Sequence, residues 1–434
     1  MACMVVLLLV LPRRLAVVPL LVGACYSGPL AVIDVGPASL TVFRVLVFVG
    51  VLRVLGRGER IEGGLNRVDG LVVSWGVVLV LTGLLHAEGA LTYRAGLIVN
   101  DVGGYILLRV FIRDIDDVRH VAKVLSIVLI PVALAMLLEK ATGRNLFATL
   151  GGFADPNIRD GLIRARGPFV HPILAGTVGA TSLALVATQW KRHRKHAIAG
   201  ILACLGIVFA CTSSGPLMVL IFLLVGLGFW RVRDQMRAVR WLALAAIIAL
   251  DIVMKDPVYF LMARIDLTGS SKGYHRAQLI RSSIEHLDEW WLAGTDYTRH
   301  WMATGIHANS QHTDITNHLL ANGVLGGLPL MTVFVLVLVA GFGAVGKALR
   351  ASKAAPVEQQ WLIWTLGAVL FAHVANFFSI SLFDQSIVFF YLVLACIGGA
   401  LAIQPAPESA VAPEPRRLKM VTTRLSQRPR MIRR

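Results

Sequence analysis

Six of the twelve histidines fall between His275 and His318, in one polar interval that also holds Arg264, Arg276, Arg281, Trp290, Trp291 and Trp301. An imidazole titrates near neutrality, so it can accept a proton from a hydroxyl. His312 stands a turn or two before an apolar run, which puts its ring at a membrane surface, and His318 lies deeper. Asp314 and Asn317 follow three apart; they could orient His312 or hold a sugar, or simply cap the coming helix. His275 and Arg276 open a helical segment whose first N–H groups favour anions. A second polar interval returns to an apolar run through Arg164, Arg166 and Gly167-Pro168. Paired guanidinium groups at such a rim either anchor the chain or clamp a diphosphate.

The elements that must position these groups are set by composition. Of 434 residues, 56% are apolar and 15% charged, with a mean hydropathy of +0.71. No soluble core hides that much hydrocarbon, so the expectation is an all-α polytopic membrane protein. The formal charge of +17 sits in short clusters between apolar runs, the pattern of cytoplasmic loops against an anionic leaflet, and membrane lipids rather than nucleic acid are the expected partner. The five cysteines lie in or beside apolar runs without ligand spacing, so neither a disulfide framework nor a zinc site is expected. Met1–Val10 is apolar but lacks a leading basic region, and no removable signal peptide is expected there.

About twelve stretches are long enough to span a bilayer, near 15–33, 38–55, 68–86, 94–112, 121–138, 172–189, 197–212, 215–230, 241–254, 318–346, 361–380 and 385–403. Lys and Arg gather in alternate connections, for example Arg13 with Arg14, Lys191 to Lys195, and Lys347 with Arg350; those at 34–38, 86–92, 212–216 and 381–385 are nearly bare. The positive-inside rule then puts both termini in the cytoplasm. Two outward connections are long, 139–171 and 255–317, and loops of that length usually have a role. The domain expected is 1–403, followed by a basic, Pro-rich cytoplasmic tail at 404–434.

Within the second loop, Ile280, Ile284, Leu287 and Trp291 make one helical stripe, opposite Arg281, Ser282, Glu285, Asp288 and Glu289. An amphipathic helix over 279–291, lying in the outer interface, is expected. Gly323, Gly326 and Gly327 suit close helix packing, or a wall beside a lipid chain. Arg44, Asp101, Arg109 and Asp251 fall inside apolar runs at a cost of roughly 2.5–3.5 kcal/mol each, so each needs a partner, a cavity or a route to the interface.

Four stretches in this order resemble the O-antigen ligase and polymerase superfamily: R-A-R-G-P-F-V-H-P from Arg164, C-T-S-S-G-P from Cys211, a loop with H-R-A-Q-L from His275 and E-W-W-L-A-G-T from Glu289, and H-T-x9-G-x-x-G from His312. The resemblance covers about 160–345, with the flanking spans matching by topology only. Ser214 stands where many members carry arginine, and Thr313 where Asn, Ser or Gln is usual. The D-I-T-N run is closer to exopolysaccharide polymerase relatives.

The resemblance implies a GT-C-like, metal-independent, inverting glycosyltransferase without a cofactor, in the bacterial cytoplasmic (inner) membrane. It would move a glycan from undecaprenyl diphosphate to an acceptor hydroxyl on a glycan or lipid. His312 and Asp314 would serve catalysis, Arg164, Arg166, Arg264 and Arg276 the diphosphate, and His275 and Asn317 the glycan or acceptor. A transporter or flippase for lipid-linked glycan is the alternative, and paired broken helices with mid-membrane ionisable groups would mark it.

Overall fold

A computed structural model describes residues 1–36, 38–87, 90–264, 273–305 and 310–402. The expected basic tail at 404–434 lies outside the described residues. Helices occupy all twelve apolar stretches. In order they are α1 (Ala2–Val10), α2 (Val17–Tyr26), α3 (Val42–Arg57), α4 (Arg67–Gly83), α5 (Ala90–Ile98), α6 (Gly104–Phe111), α7 (Ile115–Thr142), α8 (Pro172–Ala187) and α9 (Arg194–Ala210). There follow α10 (Ser214–Gly228), α11 (Met236–Val253), α12 (Leu261–Arg264), α13 (Gly273–Glu285), α14 (Leu287–Trp290), α15 (His318–Ala351), α16 (Val357–Phe377) and α17 (Ser386–Leu401). Five continuous helical stretches among the described residues are long and apolar enough to cross a membrane: Ile115–Thr142, Pro172–Trp190, Ser214–Val253, His318–Ala351 and Val357–Phe377. The others are shorter. The first expected span is only the ten-residue α2, because the chain then turns into a hairpin of β1 (Val32–Val35) and β2 (Ala38–Thr41). A second small hairpin, β3 (Ile158–Arg159) with β4 (Leu162–Ile163), lies in the first long loop.

Helix α17 is buried from Ser386 to Ala400 and packs against α6, α7, α8, α15 and α16, so it forms the centre of the bundle. An apolar helix touched on all sides carries no amphipathic stripe, and this one has none. Toward the outside, large apolar side chains stay exposed: Leu55, Leu85, Leu134, Leu202, Phe209 and Leu224. On α11 no residue is buried at all. Exposed hydrocarbon on this scale is what a lipid environment covers, and it is compatible with a membrane protein.

The charges inside the apolar stretches find different solutions. Arg109 donates from Nε to Asp69 at 2.9 Å, and both side chains are buried; Asp69 also accepts from the Tyr105 hydroxyl and closes a capping box with Asn66. Arg44 instead reaches the Ser39 carbonyl in the β hairpin, at 2.5 Å. Between α5 and α6 the backbone widens into a π turn, Val99–Gly103, that contains the buried Asp101.

Hydrogen bonds sort the connections into two sets. At the N-terminal end of α7, Arg13 bonds Asp117 at 2.7 Å and Gln189 bonds the Arg119 carbonyl. At its C-terminal end, ~42 Å away along 28 helical residues, Lys140 meets Thr212 at 2.5 Å and the Ala165 N–H donates to Ala210. Gln385 joins this second set through Pro168 at 2.8 Å and Ser27 at 2.6 Å. Two of the connections poor in Lys and Arg, 212–216 and 381–385, thus bond to the first long loop at one end.

Candidate functional site

The first loop leaves α7 through Gly143, which holds a left-handed φ of 74°, and re-enters α8 at Pro172. Its return is fixed by Glu139, a fully buried carboxylate that accepts the N–H groups of Arg166 at 3.1 Å and Gly167 at 2.8 Å. Gly167 sits at φ 56°, which a side chain rarely adopts. Pinned this way, the chain delivers Arg164 against the α9–α10 corner, where Arg164 Nη2 donates to Ser213 Oγ at 3.3 Å. Thr212 in that corner is a non-glycine at φ 44°, and its hydroxyl is held by Lys140. Lys140, Arg164, Thr212 and Ser213 therefore line one polar corner.

Arg276 stands in the first turn of α13, in the other loop. Burial lowers its pKa, the Asp314 carboxylate opposes this, and the charge of Arg159 lowers it further. Burial also lowers the pKa of Arg164, again with Arg159 adding to the effect. The charge of Arg159 thus acts on guanidinium groups from both long loops. Arg159 itself bonds the neighbouring Asp160 at 3.5 Å. Arg164, Arg166 and Arg276 each keep a buried Nε without a protein hydrogen-bond partner. A desolvated guanidinium N–H is costly to leave unmatched, and an anion rich in oxygen would match it.

The histidine segment is laced to the start of α13. His275 lies 3.3 Å from Thr304 Oγ1 through Nδ1 and 3.4 Å from the Asp314 carbonyl through Nε2, and the Asp314 N–H donates to Gly305 at 2.9 Å. His312 Nδ1 lies 3.3 Å from Thr298 Oγ1, which also accepts the Thr313 N–H at 3.1 Å. Burial lowers the His312 pKa, and the charge of Asp296 raises it in part. Asp296 is in turn held by His86 at 2.6 Å. An imidazole that stays neutral at physiological pH has a lone pair for proton abstraction.

Below this segment α15 is not one regular helix. Gly326 and Gly327 leave helical geometry, with φ 72° and ψ −174° at Gly327. The break is a seat for the loop: Thr295 N–H donates to Val324 and Leu328 N–H donates to Trp291, both at 2.8 Å. Buried Arg94 donates to the Leu325 carbonyl at 2.5 Å and to Leu79 and Thr82 at 2.9 Å. Gly323 makes room for Trp290, whose ring a Cβ would meet at 2.5 Å.

Arg164 and Arg276 thus both feel the charge of Arg159, Arg276 also feels that of Asp314, and His275 lies 3.4 Å from the Asp314 carbonyl. Arg166 is occupied elsewhere: it donates to Asp155 at 2.7 Å and lies 4.3 Å over the Phe153 ring. Arg264 stands 3.8 Å from Asp256, with both side chains more than half exposed. Asn317 takes the capping alternative, accepting the Leu320 N–H at 3.1 Å. His318 is buried between Phe334 and Phe377 and bonded to Ser381 and Leu382.

The expected helix over 279–291 begins earlier, at Gly273, and breaks at His286. Its stripe faces outward, with Ile284, Leu287 and Trp291 exposed, while Leu279, Ser282, Ser283 and Trp290 are buried. Sequence reasoning missed Lys140, Glu139, Arg94 and the His86–Asp296 pair. All but Arg94, which stands mid-way along α5, sit at a helix end or in a loop where spacing gives no signal. No protein-family model matches the chain, and no curated protein matches it significantly.

Proposed function

We propose that this protein transfers a glycan from undecaprenyl diphosphate to an acceptor hydroxyl at the outer face of the bacterial cytoplasmic membrane, as a polysaccharide polymerase or ligase. What supports this reading is that Arg164 and Arg276, one from each long loop, both keep a buried Nε without a protein hydrogen-bond partner and both feel the charge of Arg159. The bundle is read as a GT-C-like fold of about twelve spans with both termini cytoplasmic. The bonding of the Lys- and Arg-poor connections 212–216 and 381–385 to the first long loop supports that orientation.

In this reading Arg164 and Arg276, with Lys140 and Arg159 close by, bind the diphosphate and stabilise the charge that grows on it as it leaves. The acceptor oxygen attacks the anomeric carbon from the opposite side, and the bond from that carbon to the diphosphate oxygen breaks with its electron pair. His312 takes the acceptor proton at Nε2, while Nδ1–H donates to Thr298 Oγ1, whose second lone pair holds Thr313. The configuration at carbon inverts. Asp314 keeps Arg276 charged and oriented, and no step calls on a cofactor.

Purified protein incubated with undecaprenyl-diphosphate oligosaccharide, alone and with lipid A, tests the reaction. Self-elongation identifies a polymerase and decoration of lipid A a ligase; no product from either donor pairing refutes transfer. The transporter reading draws on the break at Gly326–Gly327 and the π turn at Val99–Gly103. At the first of these the freed backbone groups are already bonded to Thr295, Trp291 and Arg94, which favours a docking seat over a transport site. Movement of labelled lipid-linked glycan across proteoliposomes without elongation would reverse that preference.

A further inference from the structure

We propose that His286, Glu289 and His300 form a binding site for a transition-metal dication of the zinc class, one that staples the two legs of the second long loop. Their donor atoms lie within 4.8 Å of one another. His286 stands at the break between α13 and α14, Glu289 is in α14, and His300 belongs to the 3-10 turn Arg299–Trp301. A tetrahedral metal at about 2.0–2.2 Å from each donor spaces the donors about 3.4 Å apart, so a pair as wide as 4.8 Å closes by roughly 1.4 Å, which the exposed Glu289 and His300 side chains can do.

Three features separate this cluster from a chance meeting of exposed polar groups. His286 Nδ1 is 2.8 Å from the Ser282 carbonyl; a carbonyl only accepts, so Nδ1 carries the proton and Nε2 is left with its lone pair. Glu289 is held at Oε2 by the Trp301 indole N–H at 2.9 Å, leaving Oε1 to the His300 side. Both rings are also fixed in plane, His286 stacked on Trp301 at 22° and His300 on Tyr297 at 9°. Metal-binding imidazoles and carboxylates are commonly oriented by such outer hydrogen bonds. Two imidazoles and one carboxylate suit Zn, Co, Ni or Fe, whereas Mg and Ca prefer oxygen alone. His300 Nε2 now faces Glu289 Oε1 at 2.9 Å; on binding, the metal takes that lone pair and the proton moves to Nδ1 of the same ring.

The staple would act on the segment that holds His312. Thr298, two residues before His300, bonds both His312 and Thr313, and α13 carries His275 and Arg276. The site does not depend on the proposed transfer reaction, and its test reads binding rather than activity. The full chain, purified in detergent without a polyhistidine tag and stripped by chelator, is titrated with Co2+. The expected result is one Co2+ per chain with a visible d–d band, displaced by an equivalent of Zn2+ and insensitive to excess Mg2+.

His300→Ala and Glu289→Gln alter exposed residues and should keep the fold, checked by size exclusion, while abolishing the band. Trp301→Phe, which retains the ring bulk, should weaken binding by roughly 10–100-fold. Metal should also slow proteolysis within 254–317. Absence of the band in the wild type, or a band unchanged in His300→Ala, overturns the proposal. Binding without any protection of the loop overturns the staple.

Discussion

Replacing Gly327 by alanine probes the seat on which the second long loop rests. Gly327 holds φ 72° and ψ −174°, a region open essentially to glycine alone, and forcing a side chain into it costs about 1–3 kcal/mol. The new Cβ would also meet the Leu292 oxygen at 2.4 Å and the Ala293 nitrogen at 2.7 Å, both backbone atoms that cannot swing aside. Either the strain is kept or Leu292–Ala293 shifts away, breaking the 2.8 Å bonds from Leu328 to Trp291 and from Thr295 to Val324. Each buried backbone group so exposed costs about 1–3 kcal/mol.

The expected loss is therefore on the order of 3 kcal/mol or more, several degrees in thermal midpoint. The assay is thermal unfolding in detergent combined with limited proteolysis of 254–317, where Gly327→Ala should unfold earlier and be cut faster. Gly294→Ala strikes the same seat from the loop side, with φ 91° and a Cβ 2.2 Å from the Val324 oxygen. The double variant should then lose less than the sum of the two. A Gly327→Ala protein within about 0.5 kcal/mol of wild type, with an equally protected loop, would refute this account of the broken helix.

Other expectations follow from the site and the core. His312→Ala should remain folded and lose chain growth on lipid-linked donor; unaltered product ladders would exclude it as the base. Because burial first, with Asp296 only partly opposing, sets His312 below its ordinary value of 6.5, the active neutral form persists below that pH. The acid limb of the rate profile should lie under 6.5, and Asp296→Asn should move it further toward acid. Burial alone would raise Glu289, but hydrogen bonds from Trp301 and His300 and the nearby imidazole charges hold it below the ordinary carboxylate range. Its stabilising contribution is then complete above pH 4.5 and fades as pH falls through its lowered folded value, a loss that acid titration of Glu289→Gln should not show. Asp69→Ala strands buried Arg109 and Tyr105 and should cost about 3–5 kcal/mol by equilibrium or thermal unfolding.

Much of the scaffold is written in hydrophobic length. Runs of about twenty apolar residues can only be helices where backbone groups find no water, and helices stand in the apolar stretches, five of them among the described residues long and apolar enough to cross a membrane. The alternation of Lys and Arg between connections is legible in the sequence, but the partners are not: Arg13 pairs with Asp117 across 104 residues. What remained hidden depends on pairing across long separations. Arg109 has its partner Asp69 forty residues earlier, and Arg94 has its acceptor Leu325 on a helix far along the chain.

The candidate site shows the same division. The types and neighbourhoods of Arg164, Arg276 and His312 were legible as polar residues flanking apolar runs. Arg166 could not be told from Arg164 by spacing, since the difference lies in Asp155 and Phe153, which capture its guanidinium. Asn317 read equally as ligand or cap, and only the Leu320 N–H decides for the cap. The stripe at Ile284, Leu287 and Trp291 gave a helix but not its facing, because in a lipid-facing protein an apolar side need not point inward. His286, Glu289 and His300 were invisible as a group, since a loop reversal rather than a helical repeat brings them together.

The central claim is that Arg164 and Arg276 bind one diphosphate. It is tested most directly by measuring the affinity of undecaprenyl diphosphate for wild type, Arg164→Gln, Arg276→Gln and the double variant, in detergent at fixed ionic strength. A shared pocket predicts that each single change weakens binding at least tenfold, and that the double variant falls short of the product of the two effects, because the groups contact one ligand. Affinities unmoved by either change, or two independent losses that multiply without coupling, would contradict it.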